Sequence, residues 1–291
     1  MVVAEVVKVE PPPRKDGKGN SVTGGRRGPD EQNLHRNKRS LAIDLKKSEG
    51  QALFHELVEQ SDVIVENFRS DVKYRLCVDY ETVKAIKPGI IYASISGFGQ
   101  DGPYATRPGV DQIIQGMSGL MSVTGEPGRG PMRVGVAISD TSAGMFLGQG
   151  ILLALLHRER TGEGQWVHTS LLEAMMSKLD FQGARYTMKG EVAGQQGNDH
   201  PTQVPMGTFE AKDGWFVLGV GSDAQWATVV ERLHLEHPEV AGAWSTNQGR
   251  VLGRDAVENC VASALALHNR SDLESMLEGV PCAPVNTVLE A

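Results

Sequence analysis

The sequence predicts an α/β protein built around a parallel sheet, with a second, smaller α/β domain near its end. Three observations carry that prediction. Strand-type and helix-type patterns alternate between positions 41 and 96. A lapse rich in Gly, Asn, His and Pro follows at 190–206. A hairpin signature opens just beyond it. Alternation at that rhythm favours parallel strands, because the helix between two strands returns the chain to the same edge of the sheet.

The elements follow in order. Val2 to Val9 reads as a strand, and the polar, Gly- and Pro-rich stretch from Glu10 to Arg39 as a long loop. Its basic residues, Arg14, Lys15, Lys18, Arg26 and Arg27, read as a solvated loop. Leu41 to Leu45 is a strand. Leu53, Phe54, Leu57 and Val58 fall at helical spacing between Glu49 and Gln60. Asp62 to Asn67 is a buried strand type, a helical stretch runs to about Ile86, and Pro88-Gly89 stops it. Ile90 to Ser96 is the next strand. Helices are expected at Asp111–Val123, Thr141–Arg158 and Leu171–Lys189, with a short strand at Trp166–Ser170. Beyond the lapse, Phe209 should pair toward Trp215-Phe216 across a turn at Lys212-Asp213-Gly214. Helices at Asp223–Leu233 and Asp255–His268 follow. The domain reading is 1–190, a linker at 191–206, and 207–291.

Bulk composition narrows the function. The chain has 291 residues, 40% hydrophobic and 22% charged, with a net charge of −7. That charge opposes general nucleic-acid binding, which needs a broadly positive surface. Cys77, Cys260 and Cys282 are distant and odd in number, so neither a disulfide framework nor a zinc ribbon is expected. A reducing, cytoplasmic compartment fits. The longest apolar run, Met145 to Leu156, is interrupted by Gly148-Gln149-Gly150, so no membrane span is expected. No metal site is expected.

Two motifs carry chemistry. Gly97, Gly99 and Gly102 directly follow a strand and match the dinucleotide fingerprint G-x-G-x-x-G. That fingerprint needs a helix to open at its third glycine, and Pro103-Tyr104-Ala105-Thr106-Arg107-Pro108 is no helix start. A tight turn needing positive φ, or a mobile loop over a substrate, remain as readings. The second motif is Asp140, where an apolar run meets a long apolar helix. A carboxylate there lies beside free backbone N–H groups and can act ionised as a nucleophile. The bland alternative is a helix N-cap.

The order and spacing of several stretches resemble the class III CoA-transferases, which include formyl-CoA transferases and the related α-methylacyl-CoA racemase. They are Asn37-Lys38-Arg39-Ser40, Val65-Glu66-Asn67-Phe68-Arg69, Ser96-Gly97-Phe98-Gly99-Gln100, Pro108-Gly109 with Asp111, Ser139-Asp140, Arg158 with Thr161-Gly162, and Pro281-Cys282-Ala283-Pro284-Val285. The resemblance spans almost the whole chain. It implies a Rossmann-like large domain, a smaller α/β domain and an interlocked homodimer. It implies Asp140 as nucleophile, and CoA contacts at Asn67, Phe68 and Arg69, with Arg75, Lys38 and Arg39 as further basic positions. Gly97, Gly99, Gln100 and Asp111 would form the substrate loop and its acidic neighbour. Coenzyme A enters as substrate, as acyl-CoA, with a small carboxylic acid as acceptor and no permanently bound cofactor. Two departures stand out. Family members extend before the segment matching Ala4 to Glu10 and beyond Ala291, so the chain reads as truncated at both ends, and a mitochondrial address could precede it. The racemase relatives carry a proton-transferring histidine where Val110 stands. A transferase is therefore expected, with a racemase-like enzyme and an inactive remnant as the alternatives.

Overall fold

Short parallel strands, each followed by a helix, recur through the first half of the chain. The structure, a computed structural model, describes residues 4–12 and 28–291. The basic cluster from Arg14 to Arg27 and the start of the first expected strand lie outside the described residues. The chain divides into two compact units, Met1–Leu120 with Val134–Gly183, and Met121–Arg133 with Ala184–Ala291.

In the first unit, β1 (Val6–Glu10) pairs in parallel with β2 (Lys38–Ala42), and α1 (Pro29–His35) lies between them in sequence. Pro29 suits the first helical position because its missing N–H would have no partner there. Helix α2 (Ser48–Gln60) buries Val58 and leads into β3 (Val63–Glu66). The helical stretch expected up to Ile86 divides into α3 (Val72–Arg75) and α4 (Tyr80–Ile86). Cys77 sits between them at φ +55°, a left-handed conformation that ends a helix. Asp79 restarts the chain by accepting a bond from the Thr82 N–H at 3.1 Å. Strand β4 (Ile91–Ser96) is buried at five of its six positions, as a central parallel strand requires.

The region expected as one helix from Asp111 to Val123 is α5 (Asp111–Met117) and α6 (Leu120–Val123), broken at Gly119, φ +92°. Helix α7 runs Ile138–Thr161 and ends at Gly162, φ +77°. It is thus longer at both ends than the apolar periodicity suggests. Strand β5 (Gln165–Ser170) completes a three-stranded parallel sheet of order β3-β4-β5. Helices α8 (Leu171–Lys178) and α9 (Asp180–Lys189) replace the single expected helix, with Asp180 at φ +45° at their junction.

Helix α7 also corrects the expectation about apolar runs. By length and composition it is long and apolar enough to cross a membrane. Gly148, Gln149 and Gly150 do not interrupt it. Gly150 faces Val167 of β5, where an added Cβ would meet only ordinary contact at 3.8 Å. The buried face of α7 is small, with Ser139, Ser142, Ala143, Leu147 and Ala154. Its opposite face shows Met145, Leu152, Leu153 and Leu156 to solvent. At its far end Arg158 donates to the Gly89 carbonyl at 3.2 Å and to Asp62 at 3.1 Å, which pins the helix to the entry ends of β3 and β4.

In the second unit, β6 (Met206–Ala211) and β7 (Gly214–Gly219) form the expected hairpin, and Phe209 opposes Phe216. Strand β8 (Cys282–Pro284) pairs antiparallel with β7; its three residues, two flanked by prolines, carry no strand signal. Helices α10 (Asp223–Arg232), α11 (Asn247–Leu252), α12 (Arg254–Leu265) and α13 (Arg270–Met276) surround a core of Phe216, Leu218, Trp226, Val257, Leu265 and Leu273. Each such fully buried side chain contributes roughly 1.5–3 kcal/mol.

Candidate active site

Parallel strands deliver their following segments to one edge of the sheet, where ligands of open α/β sheets bind. Here Glu66 is level with Ser94, and Ser96 with Ser170. Asn67-Phe68-Arg69, the Gly97 loop and the start of α8 therefore leave the sheet together. The α8 start is fixed by a capping box: Ser170 Oγ accepts from the Glu173 N–H at 3.0 Å, and the Glu173 carboxylate accepts from the Ser170 N–H at 2.8 Å. Leu172 N–H then donates to the Gly97 carbonyl at 3.2 Å, seating the glycine loop on α8.

Backbone geometry explains the glycines of this loop. A Cβ on Gly97 would lie 2.6 Å from the Gly109 Cα, so two backbone strands cross there without room for a side chain. Gly99 and Gly102 take φ of +97° and +85°. Turns follow as far as Pro108, and the next helix opens only at Asp111. The tight-turn reading of the glycines is therefore correct, and the helix that a dinucleotide pyrophosphate needs is absent from this loop. Ser96 braces it, its hydroxyl donating to the Gly99 carbonyl at 2.8 Å and accepting from the Gly99 N–H at 3.1 Å. The Gly99 N–H is thereby committed.

Asp140 is the third residue of α7 and is exposed. It caps no helix. Asp111 does that instead, from 28 residues away: its carboxylate accepts from the Ser139 N–H at 2.9 Å and the Ser139 hydroxyl at 2.7 Å. That remote cap is why α7 begins three residues earlier than its periodicity indicates. Gln115, fully buried, donates to the second Asp111 oxygen at 2.7 Å and accepts from the Val134 N–H at 2.9 Å. Asp111 is thus spent on bracing, while the Asp140 carboxylate accepts no hydrogen bond among the described residues. Its pKa lies above the ordinary 3.8, first through desolvation by its surroundings and then through the like charge of Asp111. Phe98 of the glycine loop packs in the same apolar cluster as Ile138 and Ala143 of α7, so the loop and the Asp140 turn share one foundation.

The basic positions are spread out. Arg69 and Arg75 are both half-exposed or more and share Asp71, each at 3.7 Å. Lys38 donates to the Leu34 carbonyl at 2.7 Å, and Arg39 pairs with Glu5, both on the β1–β2 side. Asn67 is exposed, and the Phe68 N–H donates to Glu66 at 2.7 Å. Among the described residues no cluster of three His, Cys, Asp or Glu side chains could hold a metal. Sequence reasoning misses Lys73 and Gln115, whose partners Gln100 and Val134 lie 27 and 19 residues away, and it quotes Ser96 and Ser139 without assigning them a role. Ser96 and Ser139 at least sit beside recognised motifs, whereas Lys73 sits in a four-residue helix with no pattern to mark it.

The model of CoA-transferase family III matches residues 4–291. The chain belongs to that family. It is 38% identical over 258 residues to the succinate–glutarate CoA-transferase of Agrobacterium fabrum, covering 88% of this chain and 64% of that protein. It is 36% identical over 264 residues to the succinyl-CoA:mesaconate CoA-transferase of Haloarcula hispanica, covering 89% and 66%. The chain thus spans just under two thirds of the length of these family III relatives. The crystal structure of a CaiB/BaiF family protein from Brucella suis shares the fold at a TM-score of 0.85 and 36% identity, over 98% of this chain and 78% of that one.

Proposed function

We propose that this protein transfers coenzyme A between an acyl-CoA and a small carboxylic acid, with Asp140 as the covalent carrier. The observation that carries the reading is an exposed aspartate at the start of a helix whose capping is done by another residue, a helix start that packs in the same apolar cluster as Phe98 of the glycine loop. The relatives named for succinate, glutarate and mesaconate favour a dicarboxylate as acceptor. Asn67, Phe68 and Arg69 would meet the CoA moiety, with Arg75, Lys38 and Arg39 as outlying cations, and the chain would act as a homodimer.

Each step then balances. The Asp140 carboxylate attacks the thioester carbonyl, the C–S bond breaks, and CoA leaves as thiolate. The thiolate attacks the aspartyl carbonyl of the anhydride and releases the donor acid, which leaves an aspartyl thioester. The acceptor carboxylate attacks that carbonyl and expels the thiolate again. The thiolate then attacks the acceptor carbonyl, forming the new acyl-CoA and freeing Asp140. No external energy is needed, since one thioester is exchanged for another. A carboxylate serves because both its anhydride and its thioester are reactive enough to pass the group on. Oxyanions formed on the way would meet backbone N–H donors of the glycine loop, one such donor being worth about 3 kcal/mol.

The decisive experiment traps the intermediate. Incubation with succinyl-CoA and then hydroxylamine should leave a hydroxamate on the peptide containing Asp140, seen by mass spectrometry. Acyl transfer that proceeds with Asp140 never modified would defeat the proposal. A racemase reading is opposed by Val110, which stands before Asp111 and has no proton to move.

Acidification should tell the same story. Only ionised Asp140 attacks, and its pKa is raised, so kcat/KM should fall on the acid side with an inflection above the ordinary 3.8. Asp111→Asn removes the repelling charge and should move the inflection down. An inflection that does not respond would place the titrating group elsewhere.

A further inference from the structure

Among the described residues, the first unit buries one lysine almost completely. The Lys73 side chain is 1% exposed and its partner Glu66 5%. Burying an ammonium costs far more than burying a leucine, and an apolar pair of equal volume usually serves stability as well. What the charged pair adds is direction. Glu66 uses one oxygen for Lys73 Nζ at 3.4 Å and the other for the Phe68 N–H at 2.7 Å. Lys73 Nζ donates in addition to the Gln100 side-chain carbonyl. The Gln100 amide reaches Ser96 Oγ at 3.4 Å, and Ser96 grips both ends of the Gly99 peptide. The Trp166 ring lies 4.4 Å beneath the ammonium and holds it in place. A second tie runs parallel, from Ser70 Oγ to the Ala105 carbonyl at 3.0 Å.

We propose that Lys73 is a positioning residue that locks the Asn67–Arg69 segment to the glycine loop through Glu66 and Gln100. This rests on the acyl-CoA reading above and deepens it: the segment assigned to CoA and the loop assigned to the acyl group keep one spacing because one ammonium bridges them. Neither Lys73 nor Glu66 touches substrate.

Two variants test it. Gln100→Met removes the acceptor and leaves the Lys73–Glu66 pair intact. The double variant Glu66→Gln with Lys73→Met removes both charges at similar volume, so no lone charge is left buried. Both should raise KM for acyl-CoA about tenfold. A merely structural role would lower the folded fraction, and hence kcat, with KM unchanged. Unchanged KM in both disrupting variants would overturn the proposal. Should the wild type itself transfer no CoA, the acyl-CoA reading falls, and amide hydrogen exchange of the unliganded chain decides the lock by itself. Phe68 and Gly99 amides exchanging about tenfold faster in Gln100→Met would uphold it, and unaltered exchange would overturn it.

Discussion

Asp140→Asn should leave a folded protein that no longer transfers CoA. Asparagine has nearly the same volume and keeps the exposed position at the third residue of α7. It cannot form an anhydride. Loss of a covalent nucleophile lowers kcat by on the order of 10⁴-fold or more. Stability should not suffer, because the capping of α7 belongs to Asp111 through Ser139, and the substitution removes a charge that Asp111 repels. The thermal midpoint is therefore expected to stay level or rise. Asp140→Ala, which cannot revert by deamidation, is the control. Paired measurements of turnover and unfolding check both halves. Survival of about a tenth of the activity in either variant would exclude the nucleophile role.

The largest loss of stability is expected from Arg250→Met in the second unit. Arg250 is wholly buried and places three donors in three directions. It bonds the Val204 carbonyl at 2.7 Å, the Trp244 carbonyl at 2.9 Å and Asp223 at 2.8 Å, and its guanidinium lies 5.3 Å from the Trp226 ring. Methionine fills much of the volume but leaves two buried carbonyls without donors. Each costs about 1–3 kcal/mol, and the total should reach roughly 3–5 kcal/mol. Asp223 adds little, since its side chain is 54% exposed and water replaces the lost partner. Arg250→Lys should recover only part of this, because an ammonium lacks the planar fork. Denaturant midpoints measure the change, and a loss below about 1 kcal/mol would show that the three bonds are not what holds this region together.

The parallel sheet was legible because its strands are short apolar runs that alternate with amphipathic helices, and burial imposes that pattern locally. The hairpin was legible from Phe209 to Phe216 because its turn and alternation lie within a dozen residues. Helix breaks at Cys77, Gly119 and Asp180 were not: only one of the three is a glycine, and the other two take positive φ without a residue type that marks it. The α7 start was misplaced for a related reason. Nothing near Ala137 marks a cap, since its cap comes from Asp111.

The same division runs through the site. Local chemistry and the order of motifs singled out Asp140, the glycines and Asn67 to Arg69, and the carboxyl ends of β3 and β4 explain why the glycines and Asn67 to Arg69 leave the sheet together. Which carboxylate is left unbonded, and which one is consumed in bracing, was decided only by folding, as Asp111 and Asp140 look alike in sequence. Lys73 and Arg250 belong wholly to the tertiary structure. Periodicity reports which side chains leave water, but a buried cation is defined by acceptors drawn from several distant segments, and only the folded chain brings those together.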